Sequence, residues 1–145
     1  MSVDLIFSVA NVLALAGWAG LIFLPGRGWI TDGVAGFVIP LLLSVAYAGL
    51  IAAFWATAEG GFSSLDDVRL LFQTPGLLLA GWLHYLAFDL LVGAWEVRIA
   101  RRESFPHLLL VPCLALTFLF GPAGYLVFQG LRLSRRATPP MQAAR

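Results

Sequence analysis

The sequence is poor in charge. Only 12% of its 145 residues are charged, whereas a soluble globular domain has roughly 25%. None of the nine basic residues is a lysine, and the eight acids leave a formal net charge of +1. So little charge excludes a nucleic-acid binder. Together with 60% hydrophobic residues, it also excludes a disordered chain and argues against an ordinary soluble enzyme.

Several chemical motifs are also missing. Cys113 is the single cysteine, so the chain cannot form an internal disulfide. There is no glycine-rich phosphate loop, no C-x-x-C pair and no G-x-S-x-G nucleophile motif. His84 and Asp89 are five residues apart, which is not the spacing that places two metal ligands on one helix face. We therefore expect no metal ion and no cofactor.

Long apolar runs are what the sequence has instead. Its mean hydropathy is +0.88, and four runs approach or exceed the ~20 residues that a membrane span needs. They cover residues 5–24, 34–58, 75–99 and 106–131. This pattern predicts an all-α integral membrane bundle of four transmembrane helices in one domain, residues 1–136, followed by a disordered tail at 137–145. The first run lacks a basic flank, so it is interpreted as a retained helix and not a signal peptide. The composition favours a bacterial protein of the inner membrane.

Helix-boundary signals refine the second and third runs. Thr31 or Asp32 can cap the second run, and Pro40 is expected to kink it. Thr74 can cap the third, where Pro75 takes the favoured first helical position.

The segment between these two runs has a pattern of its own. Ser63 and Ser64 precede Asp66 and Asp67 at the S-x-x-D spacing of a capping box. Apolar residues then recur at helical spacing from Leu65. The pattern predicts a short amphipathic helix in the membrane interface. A solvated polar loop is the alternative.

The fourth run contains the Gly-Pro-Ala-Gly sequence at 121–124, which predicts a kinked helix. Four spans would place both chain termini on one side of the membrane. That side would carry five arginines against four on the other, so the positive-inside rule only weakly favours cytoplasmic termini.

Apart from Cys113 and the phenols Tyr47 and Tyr125, only the third run carries ionisable groups deep inside it, His84 and Asp89. A carboxylate at membrane depth is costly and is usually kept by a partner or by a function. On a helix, Asp89 and Glu96 lie within about 20° of each other, and Trp82 and Tyr85 share their stripe, whereas His84 lies about 140° from Asp89.

Two interpretations of these groups remain open. In the first, His84 and Asp89 are the acid and base of a polar pocket inside the bundle. In the second, they only fix helix packing by hydrogen bonding to Asn11, Ser44, Tyr47 or a backbone carbonyl.

The segment 82–90, with the sequence WLHYLAFDL, and the later FGPAG at 120–124 resemble the ABA4-like family. Asn11, Trp18 and Pro40 are similar to its pattern too, and the resemblance covers roughly Ser8 to Arg132. This is a family of small four-span membrane proteins named after a plant plastid protein needed to make neoxanthin.

The resemblance implies a role with carotenoids or other isoprenoids, and the reaction it implies is an epoxide-to-allene isomerisation. His84 and Asp89 are then the candidate catalytic residues, and Trp82, Tyr85, Glu96 and Asn11 the candidate substrate-binding residues. Expected partners are membrane lipid and an apolar isoprenoid or carotenoid, with a homo-oligomer left open. The alternatives are a non-enzymatic pigment- or lipid-binding subunit or scaffold, and a small transporter, which would need an oligomer.

Overall fold

The computed structural model describes residues 2–137, and this part of the chain is helical without strands. Its six α-helices are α1 (Val3–Phe23), α2 (Ile39–Phe54), α3 (Leu65–Leu71), α4 (Pro75–Arg102), α5 (His107–Phe120) and α6 (Pro122–Ala137). A wider helical segment, Trp29–Val38, leads directly into α2. The predicted all-α class is confirmed. The predicted tail lies outside the described residues, apart from Ala137 at the end of α6.

Three helices are long and apolar enough to cross a membrane. They are α1, α4 and the continuous helix Trp29–Thr57 that contains α2. A helix of 20 residues spans about 30 Å, the thickness of the hydrocarbon core. These three helices support a membrane protein, but the predicted fourth span is not among them.

The second of these helices begins earlier than predicted. It starts at Trp29, so Thr31 and Asp32 lie inside it and neither caps it; Thr31 is fully buried. Residues up to Val38 form wide π-helical turns, in which the Ile39 N–H donates to the carbonyl oxygen of Val34. Pro40 follows at once. A proline has no N–H to donate and its ring crowds the preceding turn, so wide turns before Pro40 accommodate it.

The predicted short helix between the second and third runs is present as α3. The Ser64 side chain accepts a hydrogen bond from the backbone N–H of Asp67 at 3.1 Å, as the capping-box spacing predicts. A merely polar loop is therefore the wrong interpretation. The position of α3 at a membrane interface stays a prediction.

α4 is the central helix of the bundle. It begins at Pro75 as predicted, although the Thr74 side chain makes no capping hydrogen bond, and it ends at Arg102, three residues beyond the predicted end. It packs against α1, α2, α5 and the wide segment. Small residues allow this close packing, as where the Trp18 ring lies directly against Gly93.

The fourth apolar run differs from its prediction. It does not form one kinked helix, because Phe105 and Phe128 have ring centroids only 5.6 Å apart. In one continuous helix these residues would be separated by about 35 Å. The chain reverses at Gly121, where φ is +39°, a backbone conformation that favours glycine. α5 and α6 are therefore antiparallel and form a helical hairpin.

Contacts at the open end of this hairpin fix its position. At its open end, Arg132 donates to the Glu103 carboxylate through Nε at 2.9 Å and also through Nη2. This hydrogen bonding to Glu103 raises the pKa of Arg132 above its ordinary value. His107 Nε2 donates to the Ile22 carbonyl oxygen at 2.8 Å. The 14 residues of α5 rise only about 21 Å, so the hairpin enters the bundle and returns to the same end.

The hairpin changes the distribution of charge predicted for four spans. We call the end of the bundle that holds Arg102 and Glu103 the arginine end. The structure describes the side chains of seven arginines, and six of them lie at the arginine end: Arg27, Arg98, Arg101, Arg102, Arg132 and Arg135. Arg69 on α3 lies at the opposite end. The positive-inside rule applied to this distribution favours a cytoplasmic arginine end, with Ser2 on the other side. This differs from the expectation of cytoplasmic termini, and the orientation stays a prediction.

Cysteine labelling will test this topology. The native Cys113 is buried, and a Cys113→Ala background can carry Gly26→Cys, Gly61→Cys or Ser134→Cys. A Cβ at either glycine meets open space. A membrane-impermeant maleimide should label Gly26→Cys and Ser134→Cys from one side and Gly61→Cys from the other. Labelling of Ser134→Cys and Gly61→Cys from the same side would instead mean a complete fourth span.

Two glycines of α6 form a matched test of the hairpin packing. A Cβ at Gly124 would collide with the backbone nitrogen and hydroxyl of Thr117 on α5, whereas a Cβ at Gly130 meets nothing within 4 Å. We expect Gly124→Ala to destabilise the protein by roughly 1–3 kcal/mol through overpacking. Gly130→Ala should be neutral or stabilising by up to about 1 kcal/mol, because alanine is the better helix former. Thermal unfolding in detergent measures both, and equal effects would contradict the hairpin contact.

Candidate functional site: an open groove beside Asp89

Asp89 lies at the middle of α4 and at the tip of the hairpin. A Cβ built on Gly121 would be 2.9 Å from Asp89 Oδ1, so the reversal of the chain brings its backbone against the carboxylate. The second oxygen, Oδ2, is buried and has no hydrogen-bond partner among the described residues. Buried polar atoms are nearly always hydrogen-bonded. An exception on a costly group marks Asp89 as a candidate functional residue.

Three further candidate residues form a continuous row with Asp89. The Tyr85 hydroxyl lies beside the Asp89 carboxylate and donates to the Phe118 carbonyl oxygen at 3.2 Å. The Tyr85 ring stacks on Trp82 with centroids 5.3 Å apart. Trp82 Nε1–H in turn donates to Asn11 Oδ1 at 3.1 Å. The structure thus brings together Asn11, Trp82, Tyr85 and Asp89.

An apolar cavity continues this row away from the arginine end. Its volume is about 450 Å³, and it is lined by Val3, Asp4, Phe7, Pro75, Leu78, Leu79 and Trp82. Because the hairpin tip stops at Tyr85 and Asp89, Trp82 remains 38% exposed. The lining of the cavity ends at Trp82, and Tyr85 and Asp89 adjoin it along α4. We call the cavity together with this row of Trp82, Tyr85 and Asp89 the lateral groove. It lies between α1 and α4, and Phe7 and Leu78 of its lining are exposed.

Glu96 lies on the same stripe of α4 but underneath the hairpin. It is fully buried, and the Thr117 hydroxyl is 3.0 and 3.1 Å from its two carboxylate oxygens. No arginine or histidine forms an ion pair with Glu96 in the described part of the chain. The structure therefore places Glu96 at the α4–α5 contact and not in the open part of the groove.

His84 lies on a different face of α4. It is exposed, and its ring is near Phe88 and Tyr47, with centroids 4.5 and 6.1 Å away. A separate cavity of about 250 Å³ between α2, α3 and α4 includes His84 in its lining. The structure does not bring His84 together with Asp89. The protic side chain beside Asp89 is the Tyr85 hydroxyl.

Two residues of this region were not identified from the sequence. Thr117 is an isolated polar residue in the apolar sequence of α5. Its isolation is the sequence feature from which a functional role could have been inferred. Gly121 was recognised as a break, but its place against Asp89 depends on the direction in which the chain leaves it. Neither the residue spacing nor the hydropathy of the sequence indicates the direction in which the chain leaves Gly121.

Comparison with known proteins supports the family resemblance of the segments 82–90 and 120–124. The sequence model of the ABA4-like family, described as ABA DEFICIENT 4-like, matches residues 5–128. The chain belongs to the ABA4-like family. The match runs from α1 into α6, so it includes the groove residues of this ABA4-like protein apart from Val3 and Asp4. Comparisons with curated proteins and with solved structures give no match.

The contact between Glu96 and Thr117 can be tested by removing only the hydroxyl. Thr117→Val has nearly the same shape but leaves a buried carboxyl without its donor, which should destabilise the protein by roughly 1–3 kcal/mol. Thr117→Ser keeps the hydroxyl and should retain most of the stability. Thermal unfolding in detergent compares the two. If the valine variant were as stable as wild type and the serine variant less stable, the methyl group and not the hydrogen bond would be the stabilising feature.

Proposed function

We propose that this ABA4-like protein is a membrane-embedded isomerase of a carotenoid or another isoprenoid, with Asp89 as its central acid–base group. The observation that supports this most directly is the Asp89 carboxylate, which continues the row of Trp82 and Tyr85 beyond the cavity lining. Its Oδ2 atom is buried and lacks a hydrogen-bond partner within residues 2–137. An oxygen without a partner keeps an unused capacity to accept a proton or a hydrogen bond.

The character of the groove favours a lipid-soluble substrate. Its walls are mainly apolar, and Phe7, Trp82 and Tyr85 form a series of neighbouring rings, with centroids 6.0 Å apart for the first pair and 5.3 Å for the second. Such rings pack well on a conjugated polyene. The cavity of about 450 Å³ holds only one end of a long carotenoid. Because Phe7 and Leu78 of the lining are exposed, the rest of the molecule would lie in the surrounding lipid.

An epoxide-to-allene isomerisation needs one base and one acid. The Asp89 carboxylate would take the proton from C7, and that C–H electron pair would form the new double bond to C6. The C6–O bond of the 5,6-epoxide would break, and its oxygen would receive a proton from the Tyr85 hydroxyl and remain on C5 as a tertiary alcohol. A proton passing from Asp89 back to Tyr85 restores both groups. The step is redox-neutral and needs no co-reactant.

This assignment differs from the pair inferred from the sequence. Tyr85 replaces His84 as the acid because its hydroxyl lies beside the Asp89 carboxylate, whereas His84 lines another cavity. Trp82 and Asn11 are assigned to substrate binding. Glu96 is assigned to holding the hairpin. The proposed location is the bacterial cytoplasmic membrane.

A second candidate is a protein that binds a pigment or lipid unchanged. The stacked rings of Trp82 and Tyr85 favour it, because stacking alone gives affinity for a polyene without any proton transfer. Product analysis separates the two candidates.

Mass-spectrometric profiling of pigments and lipids will test the proposed reaction. A deletion strain is complemented with wild type, Asp89→Asn, Tyr85→Phe or His84→Ala, and membrane accumulation is measured in parallel. We expect Asp89→Asn to accumulate normally but to restore no product, since an amide cannot act as the base. Tyr85→Phe should reduce product at least roughly tenfold, the lower range for one acid–base group. His84→Ala should retain it.

Asp66→Asn is the matched control, because Asp66 is exposed on α3 and its only ion pair is with the exposed Arg69. It should behave as wild type. If deletion and wild-type strains contain the same pigments and lipids, the binding candidate replaces the isomerase. If His84→Ala abolishes the product while Tyr85→Phe retains it, the acid is His84 and the assignment of Tyr85 is wrong.

A further inference from the structure

The arginine end contains a cavity that the proposed reaction does not use. Its volume is about 460 Å³, and it lies between the wide segment Trp29–Val38 and the last turns of α4. The lining residues are Asp32, Arg98, Arg101 and Arg102. Three guanidinium groups thus share this concave surface with one carboxylate.

The single carboxylate does not neutralise these guanidinium groups. Asp32 Oδ1 is 3.5 Å from Arg98 Nη1, and 53% of the Asp32 side chain is exposed, so this is a weak pair. Within the described part of the chain, no carboxylate forms an ion pair with Arg101 or Arg102. The cavity therefore keeps an excess of two positive charges.

One glycine within the wide segment and one directly before it allow the guanidinium groups to lie close to the backbone. A Cβ at Gly36 would be 2.9 Å from Arg98 Nη1, and a Cβ at Gly28 would be 3.7 Å from both terminal nitrogens of Arg101. Larger side chains at these positions would crowd the cavity. The sequence and the packing thus provide a recess with room for a ligand beside unpaired guanidinium groups.

We propose that this cavity binds the phosphate of an anionic lipid headgroup. The planar guanidinium of arginine matches phosphate oxygens in a bidentate geometry. Basic pockets between transmembrane helices on the cytoplasmic side are suited to anionic headgroups. The proposal does not depend on the reaction at Asp89.

The surroundings of the cavity place it at headgroup depth. Trp29, at the start of the wide segment, is 65% exposed, and Phe23 at the end of α1 is 77% exposed. Exposed tryptophan at a helix end is typical of the membrane–water interface. Six of the seven arginines with described side chains lie at this end, which the positive-inside rule assigns to the leaflet that carries anionic lipid.

Native mass spectrometry of the purified protein will test the proposal. Wild type, the double variant Arg101→Gln/Arg102→Gln and the control Arg69→Gln are each titrated with phosphatidylglycerol and with phosphatidylcholine. Arg69 lies on α3 at the opposite end and is 71% exposed. We expect wild type and Arg69→Gln to bind phosphatidylglycerol in preference to phosphatidylcholine. The double variant should lose about tenfold or more of that affinity.

A second arm identifies the source of the phosphate. Inorganic phosphate and pyrophosphate are added to the lipid-loaded protein, and thermal unfolding of every variant in phosphatidylcholine checks that it is folded. A lipid ligand predicts that neither soluble anion displaces phosphatidylglycerol at millimolar concentration. If millimolar pyrophosphate displaces phosphatidylglycerol, and if this depends on Arg101 and Arg102, the ligand is a soluble phosphate. That result would overturn the lipid assignment. Equal binding of phosphatidylglycerol by wild type and a folded double variant would overturn the site itself.

Discussion

The structure depends on how α4 keeps two carboxyl groups inside an apolar bundle. Without water, a buried polar group must find its partners within the protein. Glu96 finds the Thr117 hydroxyl, and this requires α5 to pack directly on α4. Asp89 has no such partner for Oδ2 in the described chain. The same helix face therefore has a carboxyl bonded to Thr117 under the hairpin and a carboxyl with one unpartnered oxygen at its tip.

The hairpin explains why these two carboxyls differ. A complete fourth span would cover the whole stripe of α4 from Trp82 to Glu96. Because the chain turns back at Gly121, it covers Glu96 and leaves Trp82 partly exposed. The space that a fourth span would occupy becomes the lateral groove. The chain reversal therefore leaves Trp82 partly exposed beside the cavity.

Much of the candidate site was predictable from helix periodicity. The stripe of Trp82, Tyr85, Asp89 and Glu96 follows from 3.6 residues per turn, and its separation from His84 follows from the same angle. Periodicity describes one helix only, however. It could not show that Asn11 of α1 accepts from Trp82 or that the backbone of α5 accepts from Tyr85. Nor could it show that the neighbour of His84 is Tyr47 and not Asp89, because these contacts depend on how helices are placed against one another.

The sequence by itself determined the helical class, the three long apolar helices, the Ser64 cap and the polar stripe. These depend on local hydrogen bonding and on hydrophobicity, which act over one or two helical turns. Only the tertiary structure decided the direction of the chain after Gly121 and hence which end holds most arginines. The deciding contacts, Phe105 with Phe128 and Glu103 with Arg132, join residues far apart in the chain. A single left-handed glycine permits the reversal, but its direction is set by the surfaces that α6 then buries against α4 and α5.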